Sequence, residues 1–297
     1  MGIVNIIKFL LNHPLSKRNL FKSLKRFLFW QISFRLHPHK SIVPFVNDSL
    51  LIINKGLAGA TGNYYCGLHE FEDMSFLLHF LRINDLFFDI GANIGSYTIL
   101  ASAVSKANVV SVEPSNLTFR LLENNISINR SNSFVNCLNI GVGSEKGTAR
   151  LTADFDAINH ILTNAELENK VSYNEVEIET IDNLVSKYGC PILIKIDVEG
   201  FESEVIKGAH SCLSSPDLKA IIIELNGSSN RYNQNENLIH KYLIDIGFKP
   251  FDYFPFERKL ILKDGKGSHN TIYIKDYYFA LNRVSTADKF SVVNESI

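Results

Sequence analysis

Over most of the chain, short unbroken apolar runs alternate with stretches in which apolar residues return every three or four positions. Residues 85–90, 108–112, 134–142, 192–198 and 220–225 are runs of the first kind and read as buried strands. Residues 249–253 and 271–274 read as two later strands, making seven. Between them, residues 94–104, 116–129, 201–213 and 237–246 carry the helical period; Tyr97, Leu100, Ala101 and Val104, for example, form one stripe. Strands alternating with helices predict an α/β fold, a doubly wound, mostly parallel seven-stranded sheet covered on both faces. Residues 145–190 break the rhythm, with 148–151 and 176–178 reading as short strands around a polar loop.

Ahead of the first buried run, residues 71–81 read as a helix and 49–54 as a short strand. Residues 3–36 read as one or two basic amphipathic helices broken near Pro14. Ile3, Ile6, Ile7 and Leu10, then Leu20, Leu24, Phe27 and Leu28, keep helical spacing there. The stretch after Leu281 is polar and reads as frayed. The expected organisation is a basic helical extension over residues 1–45, one α/β domain over 46–281 and a polar tail over 282–297.

Composition changes this picture little. The 297 residues are 45% hydrophobic and 21% charged, which excludes a disordered chain and supplies a full core without disulfides. Charge changes it more. The formal net charge of −1 conceals a head with Lys8, Lys17, Arg18, Lys22, Lys25, Arg26, Arg35 and Lys40 and no acid, so the rest of the chain is net acidic. Overall neutrality argues against a nucleic-acid partner. A basic head that also carries Phe21, Phe27, Phe29 and Trp30 suits an anionic membrane surface, or a membrane-linked assembly, contacted through residues 1–40. The competing expectation is a helical lid whose apolar stripe packs on the domain. The head's apolar runs fall well short of the ~20 residues of a spanning helix, and no small-residue cleavage site follows them. Cys66, Cys137, Cys190 and Cys212 lack zinc spacing and read as small apolar fillers in a reducing compartment. The expected location is cytoplasmic, with the head peripheral at the inner face of the membrane.

Two segments carry candidate chemistry. In the first, Asp89-Ile-Gly-Ala-Asn-Ile-Gly95 closes a strand and opens a helix. Gly91 permits the tight turn, Asn93 caps, and Gly95 lets the helix start approach the sheet and a ligand closely. Glu113 ends the next strand, where an acid accepts hydrogen bonds from ribose hydroxyls. An aspartate heading the loop would repel the pyrophosphate of a dinucleotide, which a G-x-G-x-x-G turn serves. It favours a ligand bearing an ammonium and a sulfonium, which is S-adenosylmethionine. Methyl transfer is thereby preferred to nicotinamide-dependent hydride transfer.

The second segment is Pro191-Ile-Leu-Ile-Lys-Ile-Asp-Val-Glu-Gly200. Strand alternation sends Lys195, Asp197 and Glu199 to one face, costly ground for charge unless the charges pair or bind a ligand. Glu202 reads as a cap in the following helix. Glu224 ends the next strand, and doubly wound sheets bind ligands at the carboxyl ends of their strands. Lys195, Asp197, Glu199 and Glu224 are thus candidates for one pocket, with Lys195 and Glu224 also readable as an internal ion pair. Asp197 is the first choice for the group that takes or orients an acceptor proton, and His160 in the polar loop is an alternative base. A divalent ion such as magnesium, held by Asp197 and Glu199, is the competing role for those carboxylates.

At these two segments the sequence resembles the FkbM family of S-adenosylmethionine-dependent methyltransferases. The resemblance rests on LFFDIGANIGSYTILAS (86–102), VVSVEP (109–114), NIGVGSEKG (139–147), ETIDNL (179–184) and LIKIDVEGFESEVIKGA (193–209), and extends over residues 62–255. It implies a class I methyltransferase fold acting on hydroxyl groups, often those of sugars in bacterial polysaccharide assembly. Asp89, Gly91, Asn93, Gly95 and Glu113 match the family's cofactor motif, and Asp197 and Glu199 its KxDxEG motif. The expected function is O-methylation of a sugar hydroxyl, with a glycan acceptor and, through the head, a glycan-assembly complex as partners. The alternatives are a Rossmann-type oxidoreductase and a non-catalytic binding protein that keeps the fold at the membrane surface.

Overall fold

The computed structural model describes residues 2–36, 40–54, 57–152, 159–163, 166, 171–293 and 295–297. Three helices open the chain, α1 (Ile3–Asn12), α2 (Pro14–Arg18) and α3 (Leu20–Leu36). Pro14 takes the first position of α2, where its missing N–H costs nothing. A hairpin of β1 (Ser41–Pro44) and β2 (Leu50–Ile53) leads to α4 (Ala58–Cys66) and α5 (Phe71–Phe80). Next come β3 (Leu86–Ile90), α6 (Ser96–Ile99, continued by a π-helical turn over Leu100–Val104), β4 (Asn108–Val112), α7 (Asn116–Ile128) and β5 (Val135–Leu138). A small second sheet holds β6 (Gly141–Val142), β7 (Gly147–Thr152) and β8 (Tyr173–Glu179), with β8 in the middle. The chain returns through α8 (Ile181–Tyr188), β9 (Leu193–Ile196), α9 (Glu202–Lys207), α10 (His210–Ser214), β10 (Ala220–Glu224) and α11 (Glu236–Asp245). It closes with β11 (Lys249–Phe254), β12 (Lys259–Leu262), β13 (Asn270–Ile274), α12 (Tyr277–Ser285) and a short terminal pair, β14 (Ser291–Val292) and β15 (Glu295–Ser296).

The main sheet runs β12-β11-β13-β10-β9-β3-β4-β5. The five strands from β10 to β5 are mutually parallel, and β13 runs antiparallel to both neighbours. Consecutive residues feed opposite cores. Phe87, Val109, Leu193 and Ile222 join the layer containing α5 and α7, while Phe88, Val110, Ile194 and Ile221 join the layer containing α8 to α11. The doubly wound, mostly parallel expectation therefore holds, with eight strands where seven were expected. The extra strand, β12, comes from the short apolar run Leu260-Ile261-Leu262, of which only Leu260 is buried. The connection order reverses between β3 and β9, the switch point at which such sheets leave a crevice.

Several local expectations differ. The run 134–142 splits because Asn139 donates to the carbonyls of Glu113 and Pro114 (2.9 and 3.1 Å), which diverts β6 out of the main sheet. The helix over 201–213 breaks in two because the Asp182 carboxylate caps a fresh helix start through the amides of Ser211 and Cys212 (both 2.9 Å). The glycine-rich stretch before Leu68 holds α4, whose Tyr64 and Tyr65 pack against Trp30 and Phe27. Residues past 281 are packed rather than frayed. Phe290, Val292 and Ile297 are buried, and Val292 bridges to Val46. The inner side of the basic head is likewise packed, with Leu10, Leu15, Phe27 and Trp30 in the same core as Phe87.

Candidate active site

The carboxyl ends of β3, β4, β9 and β10 converge on the loop after β3. That loop is held from both sides. The amides of Gly91 and Ala92 donate to the Val112 carbonyl at the end of β4 (3.0 and 2.9 Å), and the Asp197 amide after β9 donates to Ile90 (3.0 Å). Gly91 has φ +80°, and a Cβ there would lie 1.8 Å from the Asp197 carbonyl oxygen, so only glycine fits. Gly95, at φ +91°, begins α6, and a Cβ there would strike Leu122 at 2.5 Å. Asn93 caps the turn through its side-chain oxygen on the Ile94 amide (2.8 Å).

Glu113 lies one residue beyond β4, with its carboxylate filled by donors. Oε2 accepts from the Asn93 amide (2.9 Å), and Oε1 from the Ser115 amide (3.0 Å) and the Thr118 hydroxyl (2.6 Å). Burial raises its pKa, against the pull of those donors. The group fixes the loop, and Oε2, which takes one donor, keeps acceptor capacity for a ligand hydroxyl.

Asp197 lies one residue beyond β9, on the other side of β3. Lys195 Nζ reaches its Oδ2 at 2.7 Å and stands over the Tyr97 ring, 4.7 Å from the centroid. Glu224, at the end of β10, hydrogen-bonds to Asp197, an arrangement that needs one shared proton. Burial and the neighbouring Asp197 charge push Glu224 up to about 9. Burial opposes ionisation of Asp197, but the Lys195 ammonium outweighs it and holds the carboxyl below its ordinary range. Burial also opposes the charged form of Lys195, yet Asp197, Glu70 and Asp89 together raise its pKa. The expected convergence of Lys195, Asp197 and Glu224 is thus present.

Further acids surround the same lysine. Asp89 pairs in register with Lys195 across β3 and β9 and is 1% exposed. Its Oδ2 accepts from Thr98 (2.6 Å), while buried Oδ1 has no partner among the described residues. Glu70 accepts from the Tyr97 hydroxyl (2.7 Å), and Asp73 from the Asn270 side chain (3.1 Å). Burial, reinforced by Glu70, raises Asp73 to about 8. Glu70 and Asp73 lie outside the two segments read from the sequence as candidate chemistry. Both come from the start of α5, ahead of the strand motifs.

Glu199 departs from its expected place on the strand. β9 ends at Ile196, and Glu199 sits in the following turn at φ +54°. Its carbonyl takes Arg231 (3.1 Å), and burial with the nearby Asp197 charge raises its carboxyl to about 7. Glu202 caps that turn, accepting from the amides of Val198 and Gly200 (both 3.1 Å). His160 is buried at the end of the polar loop, its Nε2 2.9 Å from Glu166 Oε1. No group of three or more His, Cys, Asp or Glu side chains among the described residues is arranged to hold a metal ion, and Lys195 already occupies an oxygen of Asp197. Tyr65 and Tyr253 are buried in the core.

Two clefts flank the loop and share Gly91, Asn93 and Asp197. One lies beside Glu113, His160, Glu199 and Phe201, and the other beside Asn63, Glu70, Asp89 and Lys195. Carboxyls outnumber ammonium groups here, and Asp89 Oδ1 is an unfilled acceptor. The donor set fits an organic cation and opposes a pyrophosphate.

Comparison with known proteins agrees. The chain is 33% identical over 162 residues to the hexuronic acid methyltransferase AglP of Haloferax volcanii, covering 52% of this chain and 62% of that protein. It is 27% identical over 170 residues to the methyltransferase sdnD of Sordaria araneosa, covering 46% of this chain and 65% of that one. The chain thus spans less than two thirds of either relative. Among solved structures, M. jannaschii TYW2 in complex with AdoMet aligns at a TM-score of 0.43 and 15% identity, over 79% of this chain and 84% of that one. The family profile described as Methyltransferase FkbM domain matches residues 89–256, more than half of the sequence and all of the loop, strand ends and turn described above. This chain belongs to the FkbM methyltransferase domain family.

Proposed function

We propose that the protein is an S-adenosylmethionine-dependent O-methyltransferase acting on a sugar hydroxyl of a surface polysaccharide or its precursor. The observation that carries this reading is one buried lysine ringed by carboxyls at the sheet's switch point, beside a glycine loop that admits a ligand. When bound, the cofactor supplies a methyl group activated on a sulfonium. Gly91, Asn93 and Gly95 would line its path, the open Oδ1 of Asp89 would accept from its ammonium, and Glu113 would receive its ribose hydroxyls.

The acceptor hydroxyl must lose a proton as it attacks, and a carboxylate within hydrogen-bond reach suits that task. Lys195 keeps Asp197 ionised and therefore able to accept, while Glu224 keeps a proton and steadies the opposite side of the carboxyl. The His160–Glu166 pair is the second candidate base. The sugar acceptor is supported by the relative named a hexuronic acid methyltransferase. A magnesium ion on Asp197 and Glu199 would compete with Lys195 and Glu224 for the Asp197 carboxylate, so the acid–base role is preferred.

Mass spectrometry of envelope glycans with and without the gene tests the reading. The expected result is loss of a mass increment of one CH2 from one glycan species. Unchanged glycans, together with a thermal shift given by a nicotinamide dinucleotide and not by S-adenosylmethionine, would replace it with the oxidoreductase alternative.

A further inference from the structure

Helices α1 and α3 present two different faces. The inward face of α3 places Phe27 and Trp30 in the core, and Arg26 donates to the Tyr65 carbonyl on α4 (3.0 Å through Nε). The ring of His13, after α1, contacts the Leu68 carbonyl at 2.7 Å, and Phe9 lies 4.9 Å from His69. Arg18 covers Phe256 at 3.7 Å. These contacts hold the head against α4 and His69, part of the wall of the cleft beside Lys195.

The outward face should be polar if solvent were its only neighbour. It is not. On α3, Phe21 is 77% exposed, Phe29 63%, Ile32 58% and Leu36 69%, with Leu28 beside them. Their spacing follows one stripe, and Lys25 fills the rung between Phe21 and Leu28. On α1, which packs on α3, the exposed stripe is Ile3, Ile7 and Leu11, with Val4 alongside. Nearly half of the large apolar side chains left exposed among the described residues lie on these two helices. Lys8, Lys17, Lys22, Lys25, Arg35 and Lys40 are exposed around them, and the first acid in the chain is Asp48.

We propose that this face docks in the plane of an anionic lipid bilayer. The apolar stripe would enter the headgroup–acyl boundary, with the lysines and arginine at its margins meeting lipid phosphates. Charge selects this occupant, because exposed cations on the same helices as an apolar stripe, with no acid before Asp48, match a uniformly anionic sheet. Among the described residues no helix is long and apolar enough to cross a membrane, so the proposed contact is with the bilayer surface. The inference is independent of the reaction proposed above.

Co-sedimentation of the full chain with vesicles tests it. At low salt the protein pellets with equimolar phosphatidylglycerol and phosphatidylcholine but not with phosphatidylcholine alone, and raising the salt releases it. The double variant Phe29→Glu, Ile32→Glu lowers partitioning about tenfold or more, and Lys22→Glu, Lys25→Glu also lowers it. Both sites are exposed, and an unchanged unfolding midpoint and cofactor affinity show that each variant is folded. Absence of pelleting at low salt, equal binding to neutral vesicles, or variants that pellet like the parent would overturn the proposal. A dimer that the same variants dissociate, without vesicle binding, would overturn it in favour of a contact between copies.

Discussion

Glu113 and Asp197 occupy matching positions. Each follows its strand by one residue, each strand is a parallel neighbour of β3, and each touches the same glycine loop. Their surroundings differ in kind. The Glu113 carboxylate is held by three neutral donors, two of them backbone amides. The Asp197 carboxylate is held by one ammonium and one protonated carboxyl, both ionisable. A carboxylate fixed by backbone amides behaves as a clamp. One balanced between a lysine and a second acid can change its proton inventory, which chemistry at an acceptor hydroxyl requires.

The largest effect is expected from removing the cation. Lys195→Ala leaves Asp197 and Asp89 buried without their counter-charge and should cost about 3–5 kcal/mol of stability, read by urea unfolding. A variant as stable as the parent would mean the acids simply take up protons and need no lysine. Asp197→Asn should lower turnover by about 10²–10⁴ while cofactor affinity stays within about threefold. If calorimetry shows affinity falling in parallel with turnover, Asp197 belongs with the clamp and the contrast with Glu113 disappears.

On the clamp side, Glu113→Ala should weaken S-adenosylmethionine about ten- to hundredfold, the loss of about 1.5–3 kcal/mol for a charged hydrogen-bond acceptor. Turnover at saturating cofactor should move much less. A further effect is on pH dependence. Glu224 titrates near 9 in the folded protein and has an ordinary value of 4.5, so the native state binds the extra proton between those limits. Stability from this group is full below about 4.5 and is lost as pH rises towards 9. The unfolding midpoint of the cofactor-free protein should fall over that window, and Glu224→Gln should flatten the fall. An equally steep fall in the variant would assign it to Asp73 or Glu199.

The sheet and the strand-end acids were legible because each left a local mark. Alternation within Lys195-Ile-Asp197 sets the two charges on one side, and the rule of carboxyl strand ends adds Glu224. Alternation failed one step later, at Glu199, because the backbone turns into a left-handed conformation that no side-chain pattern signals. Glu70 and Asp73 were illegible for another reason. They lie at the start of an ordinary helix, and only tertiary packing brings that helix beneath Tyr97 and Lys195. The tail hid its role similarly, since Phe290, Val292 and Ile297 are isolated apolar residues in a polar stretch and find their partners around His79 and Val46.

The contact between Gly91 and the Asp197 carbonyl makes the two sequence motifs a single mechanical part. A main-chain hydrogen bond joins them at Ile90, and the space between them is too small for a methyl group. Neither can be exchanged for a loop of different shape without dislodging the other, so any recombination within the family must inherit them together. On the proposed reading, a change of acceptor would have to be written elsewhere, in the wall formed by β6 to β8 and in the helices ahead of β3. For a designer, those surfaces are the variable cassette and the loop–turn pair is the chassis.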